Sequence, residues 1–335
     1  MNRPLNAVWL KAAKAAAGAC AAIALAMAMG LSYATAAGVI TLLSLQETKK
    51  ETLRTAFQRL LAFLAAVLIA YASFALLGYT LLGLGVYLLL FVALCQQFSM
   101  TGAIAMCSVL ITHFWAEGSM TPAFVGNELM LLFIGAGVGI LLNLFLPVQV
   151  KLIRQAQREI EDINRSLLTA MADGIEAKGS KELADLPRLE QRLAQARAQA
   201  QQSAGNALTL DLSYYREYID MRGNQLLVLQ RIQAALLRLQ SVPPQAELLG
   251  AFLRTIAASF GESNNAVRLL AFATELRNLF RDSPLPQSRE EFEARATLLH
   301  IFNEVEHFLL LKYTFAQSLT REQRKQYWNE QEEPV

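Results

Sequence analysis

The chain has 335 residues, with 30 Lys and Arg against 28 Asp and Glu, and 54% of it is hydrophobic. The near-even charge argues against a nucleic-acid binder, which would carry a basic surplus. Cys20, Cys95 and Cys107 all fall in apolar stretches, with no zinc spacing and no disulfide framework, so they read as small buried apolar residues. Distribution is more informative than totals. From Leu60 to Val150 there is no Lys or Arg, and the only acids are Glu117 and Glu128. A water-soluble domain does not leave that much chain uncharged, so this stretch belongs in lipid. Residues 151–335 hold 23 of the basic and 24 of the acidic residues and belong in water.

Six apolar runs follow in chain order, at about Ala15–Leu31, Ala34–Leu45, Leu60–Leu77, Leu81–Leu94, Gly102–Phe114 and Leu129–Leu146. A membrane-crossing helix needs about 20 residues. The first, third and sixth runs approach that, while the others are short. Arg3, Lys11 and Lys14 precede the first run, Lys49, Lys50, Arg54 and Arg59 separate the second from the third, and Lys151, Arg154 and Arg158 follow the sixth. The remaining connections carry no Lys or Arg, which places both termini in the cytoplasm. Lys11, Lys14, the apolar core to Met29 and Ala34-Thr35-Ala36 also fit a cleavable signal peptide, which would leave five spans.

Beyond Pro147 the pattern becomes helical and amphipathic. Leu152, Ile160, Ile163, Leu167 and Leu168 recur at helical spacing. A break runs from Gly174 to Pro187. Helices are then expected over Arg188–Ala204, Leu212–Leu239, Ala246–Phe260 and Asn265–Phe280. A last helix starts at Ser288, with Glu291 three residues on as in a capping box, and runs to about Gln317. The expected architecture is an all-α membrane protein: about six transmembrane helices over 1–147, then a cytoplasmic helical bundle over 148–335.

Several separated segments carry a family resemblance. They are Gly38-Val-Ile-Thr-Leu-Leu-Ser-Leu-Gln-Glu-Thr-Lys-Lys50 continuing through Thr55-Ala-Phe-Gln-Arg-Leu60, and Ser108-Val-Leu-Ile-Thr-His113 followed by Glu117-Gly118. Asn127-Glu128 leads into Ile134-Gly-Ala-Gly-Val-Gly139 and Leu142-Asn143-Leu-Phe-Leu-Pro147, and the tail has Tyr214-Tyr-Arg-Glu-Tyr218, Met221-Arg222 and Gln225. Together they resemble the bacterial aromatic acid exporter family, small type with a C-terminal helical domain. That family lies within a wider group that includes fusaric acid resistance proteins and is similar to plant malate-activated anion channels. The resemblance implies a multi-pass protein of the bacterial cytoplasmic membrane, working as a homodimer. It implies export of organic acids, aromatic carboxylic acids among them, by a secondary-active or channel-like route. The partners so implied are an organic anion and membrane lipid, with no cofactor. The alternative is a membrane-anchored scaffold or sensor whose helical tail dimerises or binds a cytoplasmic partner.

A pathway through apolar spans must offer polar partners, and the candidates are Thr41, Ser44, Thr112, His113, Glu117, Glu128 and Asn143. His113 and Glu117 are four apart on one helix face, and histidine titrates near neutrality. The other reading is an interfacial cluster with Trp115 that anchors a helix end. Asn127 and Glu128 open the sixth run, where a carboxylate suits a helix N-terminus; alternatively Glu128 pairs with His113 or Glu117. Lys49, Lys50, Arg54 and Arg59, with Gln46 and Thr48, form a basic cytoplasmic cuff that steers anions, sets topology or meets anionic lipid. Gly135 and Gly139 have the spacing that lets another helix approach closely. In the tail, Tyr214, Tyr215, Tyr218 and Arg222 read as a packing patch or a sensing pocket. Glu304-Val-Glu-His307 is one Glu-x-x-His where a di-iron bundle needs two, so no metal is expected. No Walker, Gly-x-Ser-x-Gly or protease metal motif occurs, and no enzyme activity is expected.

Overall fold

A computed structural model describes residues 5–177, 183 and 185–328. Among these, every regular element is a helix. The chain divides into two compact units, one of residues 1–148 with 205–209 and one of 149–204 with 210–335.

In the first unit, α1 (Leu5–Ala28) is followed by α2 (Thr35–Ser44) and α3 (Lys49–Leu77). Then come α4 (Leu81–Gln97), a 3-10 turn at Thr101–Ala103, α5 (Ile104–Glu117) and α6 (Pro122–Leu144). Threonines set three of the starts. Thr48, Thr80 and Thr121 accept from the amides of Glu51, Gly83 and Phe124, and Pro122 sits at the first position of α6. The basic linker and the third apolar run are therefore one helix. Thr121-Pro122 also starts α6 well before the expected Leu129.

The segments Trp9–Ala28, Lys49–Leu77 and Pro122–Leu144 are long and apolar enough to cross a membrane. With 10, 17 and 14 residues, α2, α4 and α5 rise about 15, 25 and 21 Å, short of a hydrocarbon core of about 30 Å. Helix α2 is enclosed by α1 and α6. Ala37 and Thr41 are fully buried, and a side chain at Gly135 would meet Ile40 and the Ala37 carbonyl oxygen within 2.7 Å. Gly139 lies equally close to Ser44. Close approaches advance together along α2 and α6, so these two run parallel. Gly18 meets Thr41 while Gly38 meets Ala19 and Ile23, so α1 runs against α2. The core adds Phe63, Phe74, Tyr87, Phe91, Phe114 and Leu131, while Leu68, Leu76, Leu81 and Leu89 point outward.

The second unit comprises α7 (Val150–Glu176), α8 (Asp185–Asn206, which ends within the first unit), α9 (Ser213–Leu236) and α10 (Gln245–Ala258). It continues with α11 (Val267–Arg281), α12 (Arg289–Ser318) and α13 (Arg321–Trp328). Helix α7 continues past Gly174, where the sequence suggests a break. Residues 178–182 and 184 of that break, like Arg3 at the N-terminus, lie outside the described residues. Ser288 accepts from the Glu291 amide at 3.1 Å, and the Glu291 carboxylate accepts from the Gln287 amide at 2.9 Å. Helices α7 and α10 pack antiparallel, with Arg254 gripping Asp173 and Glu176 while Arg165 reaches the Phe260 carbonyl. Helices α9 and α12 pair likewise, and Arg231 bonds both Glu304 and His307, the two ends of the Glu-x-x-His pattern. Among the described residues, no three His, Cys, Asp or Glu gather as a metal site.

Candidate functional site

Two polar clusters interrupt the apolar interior of the first unit, one toward each end of its helices. The first is built from the α1–α2 connector, the end of α5 and the start of α6. The His113 Nδ1 lies 2.8 Å from the Glu128 Oε2, and Glu128 is fully buried. The Asn127 amide donates to the other Glu128 oxygen at 3.1 Å. Asn127 also exchanges hydrogen bonds with the backbone of Ser32, tying α6 to the connector. Tyr33 stacks on the His113 ring, with centroids 4.0 Å apart and planes within 8°. Its hydroxyl donates to Glu117 at 2.9 Å. Tyr33 holds a φ of +57°, a strained value for an aromatic residue. A chain of four groups thus runs from exposed Glu117 through Tyr33 and His113 to sealed Glu128.

This geometry chooses between readings that the sequence left open, and Glu128 pairs with His113, one of the two partners expected for it. His113 and Glu117 do not bond each other, because each turns to a partner on another segment. Glu128 is no helix cap either. With α6 beginning at Pro122, it lies almost two turns inside and is held by His113 instead of by free amides. Ser32 and Tyr33 escaped the sequence reading. A tyrosine beside a glycine-containing turn, between two apolar runs, was the available signal.

The second cluster surrounds Arg59, ten residues and about 15 Å along α3 from Lys49. Arg59 departs from the other three cuff residues, because it is only 4% exposed. Its guanidinium donates to Ser44 Oγ and the Leu43 carbonyl, each at 2.9 Å, and to the Gly102 carbonyl at 3.4 Å. Its Nε has no hydrogen-bond partner. No carboxylate pairs with it among the described residues. Position explains the burial: the side chain projects toward the end of α2 and the 3-10 turn, where helix ends leave carbonyls unsatisfied. Lys49, Lys50 and Arg54 are half-buried or exposed. Nearby, Asn143 donates to the Gln46 carbonyl and to Thr52 Oγ1, each at 2.8 Å.

Thr41 bonds the carbonyls of Ala37 and Gly135, and so bridges α2 to α6. Ser44 donates to the Ile40 carbonyl while accepting from Arg59. Thr112 bonds the Val109 carbonyl on its own helix and joins neither cluster. Gly135 and Gly139 lie where α6 crosses α2.

Family models match both halves. Residues 7–146 fit "Aromatic acid exporter family member 1", and residues 151–313 fit "Putative aromatic acid exporter C-terminal domain". The chain belongs to the aromatic acid exporter family. It is 29% identical over 313 residues to the "Uncharacterized protein YqjA" of Bacillus subtilis (strain 168), covering 91% of this chain and 95% of that one. A crystal structure titled "putative membrane protein from Clostridium difficile 630" aligns with 50% of this chain and 99% of its own, at 28% identity and a TM-score of 0.44. Family membership and the apolar helices make this exporter-family chain a membrane protein of the transporter class.

Proposed function

We propose that the protein exports organic acids, aromatic carboxylates among them, through the first unit. The path crosses the cytoplasmic membrane by six spans, with both ends inside the cell. The observation that carries this reading is Arg59. A guanidinium buried among apolar helices is costly unless paired, yet this one is held by neutral oxygens alone and keeps one N–H unsatisfied. Carbonyls cancel little of its charge, so an incoming carboxylate finds a desolvated cation with a donor to spare. Lys49, Lys50 and Arg54, about one and a half to three turns nearer the start of α3, raise the local anion concentration on the approach.

The Glu128–His113–Tyr33–Glu117 chain suits the outer end. Protonation of His113 sets whether it pairs with Glu128 as an ion or as a neutral donor, and Tyr33 links that event to exposed Glu117. Such a chain couples external acidity to the closure of α6 on the α1–α2 connector. Ionisable groups at membrane depth commonly mark transport paths.

The test is flux of labelled benzoate through purified protein in lipid vesicles. Wild type is expected to move benzoate. Arg59→Gln is expected to slow it at least about tenfold, the kinetic equivalent of one lost charge-assisted hydrogen bond. Lys50→Gln is expected to change the rate by less than about threefold, because exposed charges are screened. Equal flux in wild type and Arg59→Gln would overturn the assignment of Arg59. No flux of any organic acid would leave the membrane-anchored scaffold in its place.

A further inference from the structure

We propose that the second unit holds a binding site for a small carboxylic acid with an apolar body, in the cavity between α10, α11 and α12. This inference stands on that unit's own chemistry and not on the transport reading. The cavity measures about 300 Å³, at the lower end of small-molecule sites. Phe280, Leu298 and Leu299 give it an apolar wall, and three arginines, Arg277, Arg281 and Arg295, face the same space.

The arginines are not equivalent. Arg277 is fixed by Glu306 and Asn303 and lies over the Phe302 ring, 4.9 Å from its centroid. Arg295 is fixed by Glu291 and by the Pro284 carbonyl, each at 2.5 Å. Arg281 makes no ion pair among the described residues and ends α11 on an exposed turn. Two cations are thus neutralised and immobilised, while the third is left for a ligand.

A second observation points the same way. Within the lining, the Arg295 Nε and the Gln245 Oε1 are buried with no hydrogen-bond partner. Buried orphans of this kind are costly; the Arg295 N–H is a donor that a carboxylate can accept from, whereas the Gln245 oxygen, an acceptor, is not satisfied by one. Gln245 is also the first residue of α10, whose N-cap Pro244 provides no side-chain bond. The positive end of that helix is therefore present at the cavity as a further attraction for an anion. A carboxylate meets Arg281 and the free Arg295 N–H, while a ring or branched chain covers Phe280 and Leu298. A phosphate or a sugar leaves the apolar wall unfilled.

Equilibrium dialysis of labelled phenylacetate against the full-length protein in detergent micelles tests this, at free concentrations up to about 1 mM. Saturable binding by wild type is expected, with no competition from neutral phenylacetamide. Arg281→Gln and Leu299→Trp, both at exposed positions, are each expected to weaken binding about tenfold or more, the first by removing the free cation and the second by filling the cavity. Arg216→Gln, at an exposed position outside the cavity lining, is expected to leave binding intact, and binding that persists where benzoate flux fails separates this site from the transport reading. Absence of saturable binding by wild type, unchanged affinity in either cavity variant, or an equal loss in Arg216→Gln would overturn the proposal.

Discussion

Among the described residues each unit buries one arginine, and the two are treated in opposite ways. Arg222 in the second unit is 1% exposed. It donates to Tyr218 and Gln225, lies 3.6 Å from Glu161 and stacks over the Phe260 ring at 4.1 Å. Tyr218 in turn donates to Glu161 at 2.6 Å. Burial and the Glu161 charge both push the Tyr218 hydroxyl up, while Arg222 opposes them, so this tyrosine stays a neutral donor. Arg59 in the first unit is almost as buried but meets only carbonyls and a serine. Glu161 balances the Arg222 charge, although the Arg222 Nη2 makes no hydrogen bond, whereas no described carboxylate pairs with Arg59. The carboxylate site proposed at Arg59 rests on that difference in charge.

The largest effect that would break this comparison comes from replacing each arginine by an apolar residue. Arg222→Met strands Glu161 and is expected to cost about 3–5 kcal/mol, and Glu161→Leu added to it should restore most of the loss. Arg59→Met strands only neutral acceptors and is expected to cost about 1–3 kcal/mol. Thermal melting of the purified variants checks both, and equal losses would mean that Arg59 has a charged partner after all.

Next in size, His113→Ala removes the partner of sealed Glu128 and is expected to cost about 1–3 kcal/mol. The same variant should export with a rate that no longer responds to external pH. An unchanged pH profile would remove His113 from any coupling role.

Helix packing gives a smaller and cleaner contrast. Gly135→Ala drives a methyl into Ile40 and the Ala37 carbonyl, for an expected loss of about 1–3 kcal/mol. Gly137→Ala, where nothing lies within 4 Å, is expected to stay within about 0.5 kcal/mol. A melting experiment that ranks them the other way would refute the close crossing of α2 and α6.

The smallest effect tests the paired unit. Burial, with the neighbouring Arg222 charge, holds the Lys312 ammonium well below the ordinary lysine range, against the pull of Glu161 and Glu262. The unfolded chain therefore binds a proton that the folded chain binds weakly. Folding stability must rise with pH between the folded value and the ordinary one, and the penalty is full below the folded value. Lys312→Met lacks this slope. Its melting temperature relative to wild type is expected to be higher at pH 7 than at pH 9, and a constant difference would contradict the burial argument.

Much of the helical framework was legible because its signals are local. Hydrophobic period, the prolines at 243, 244, 284 and 286, and the Ser288–Glu291 cap placed the tail helices to within a few residues. Thr48-Lys-Lys-Glu51 carries the same capping pattern at the start of α3 and could have been read from it. The clusters were only half legible. His113, Glu128 and Asn143 stand out because polar residues are rare in an apolar sequence, but their partners are backbone groups and residues up to 97 positions away.

By itself the sequence determined that the chain is helical, that its charge separates an apolar front from a polar rear, and which ionisable residues are held in the apolar part. These follow from periodicity and composition, which act over a few residues at a time. Tertiary structure alone decided that Glu128 meets His113 and not Glu117, that Tyr33 covers the pair, and that Arg59 turns inward while Lys49, Lys50 and Arg54 do not. Such choices depend on which helices cross and where their ends leave carbonyls free, and no local pattern encodes that.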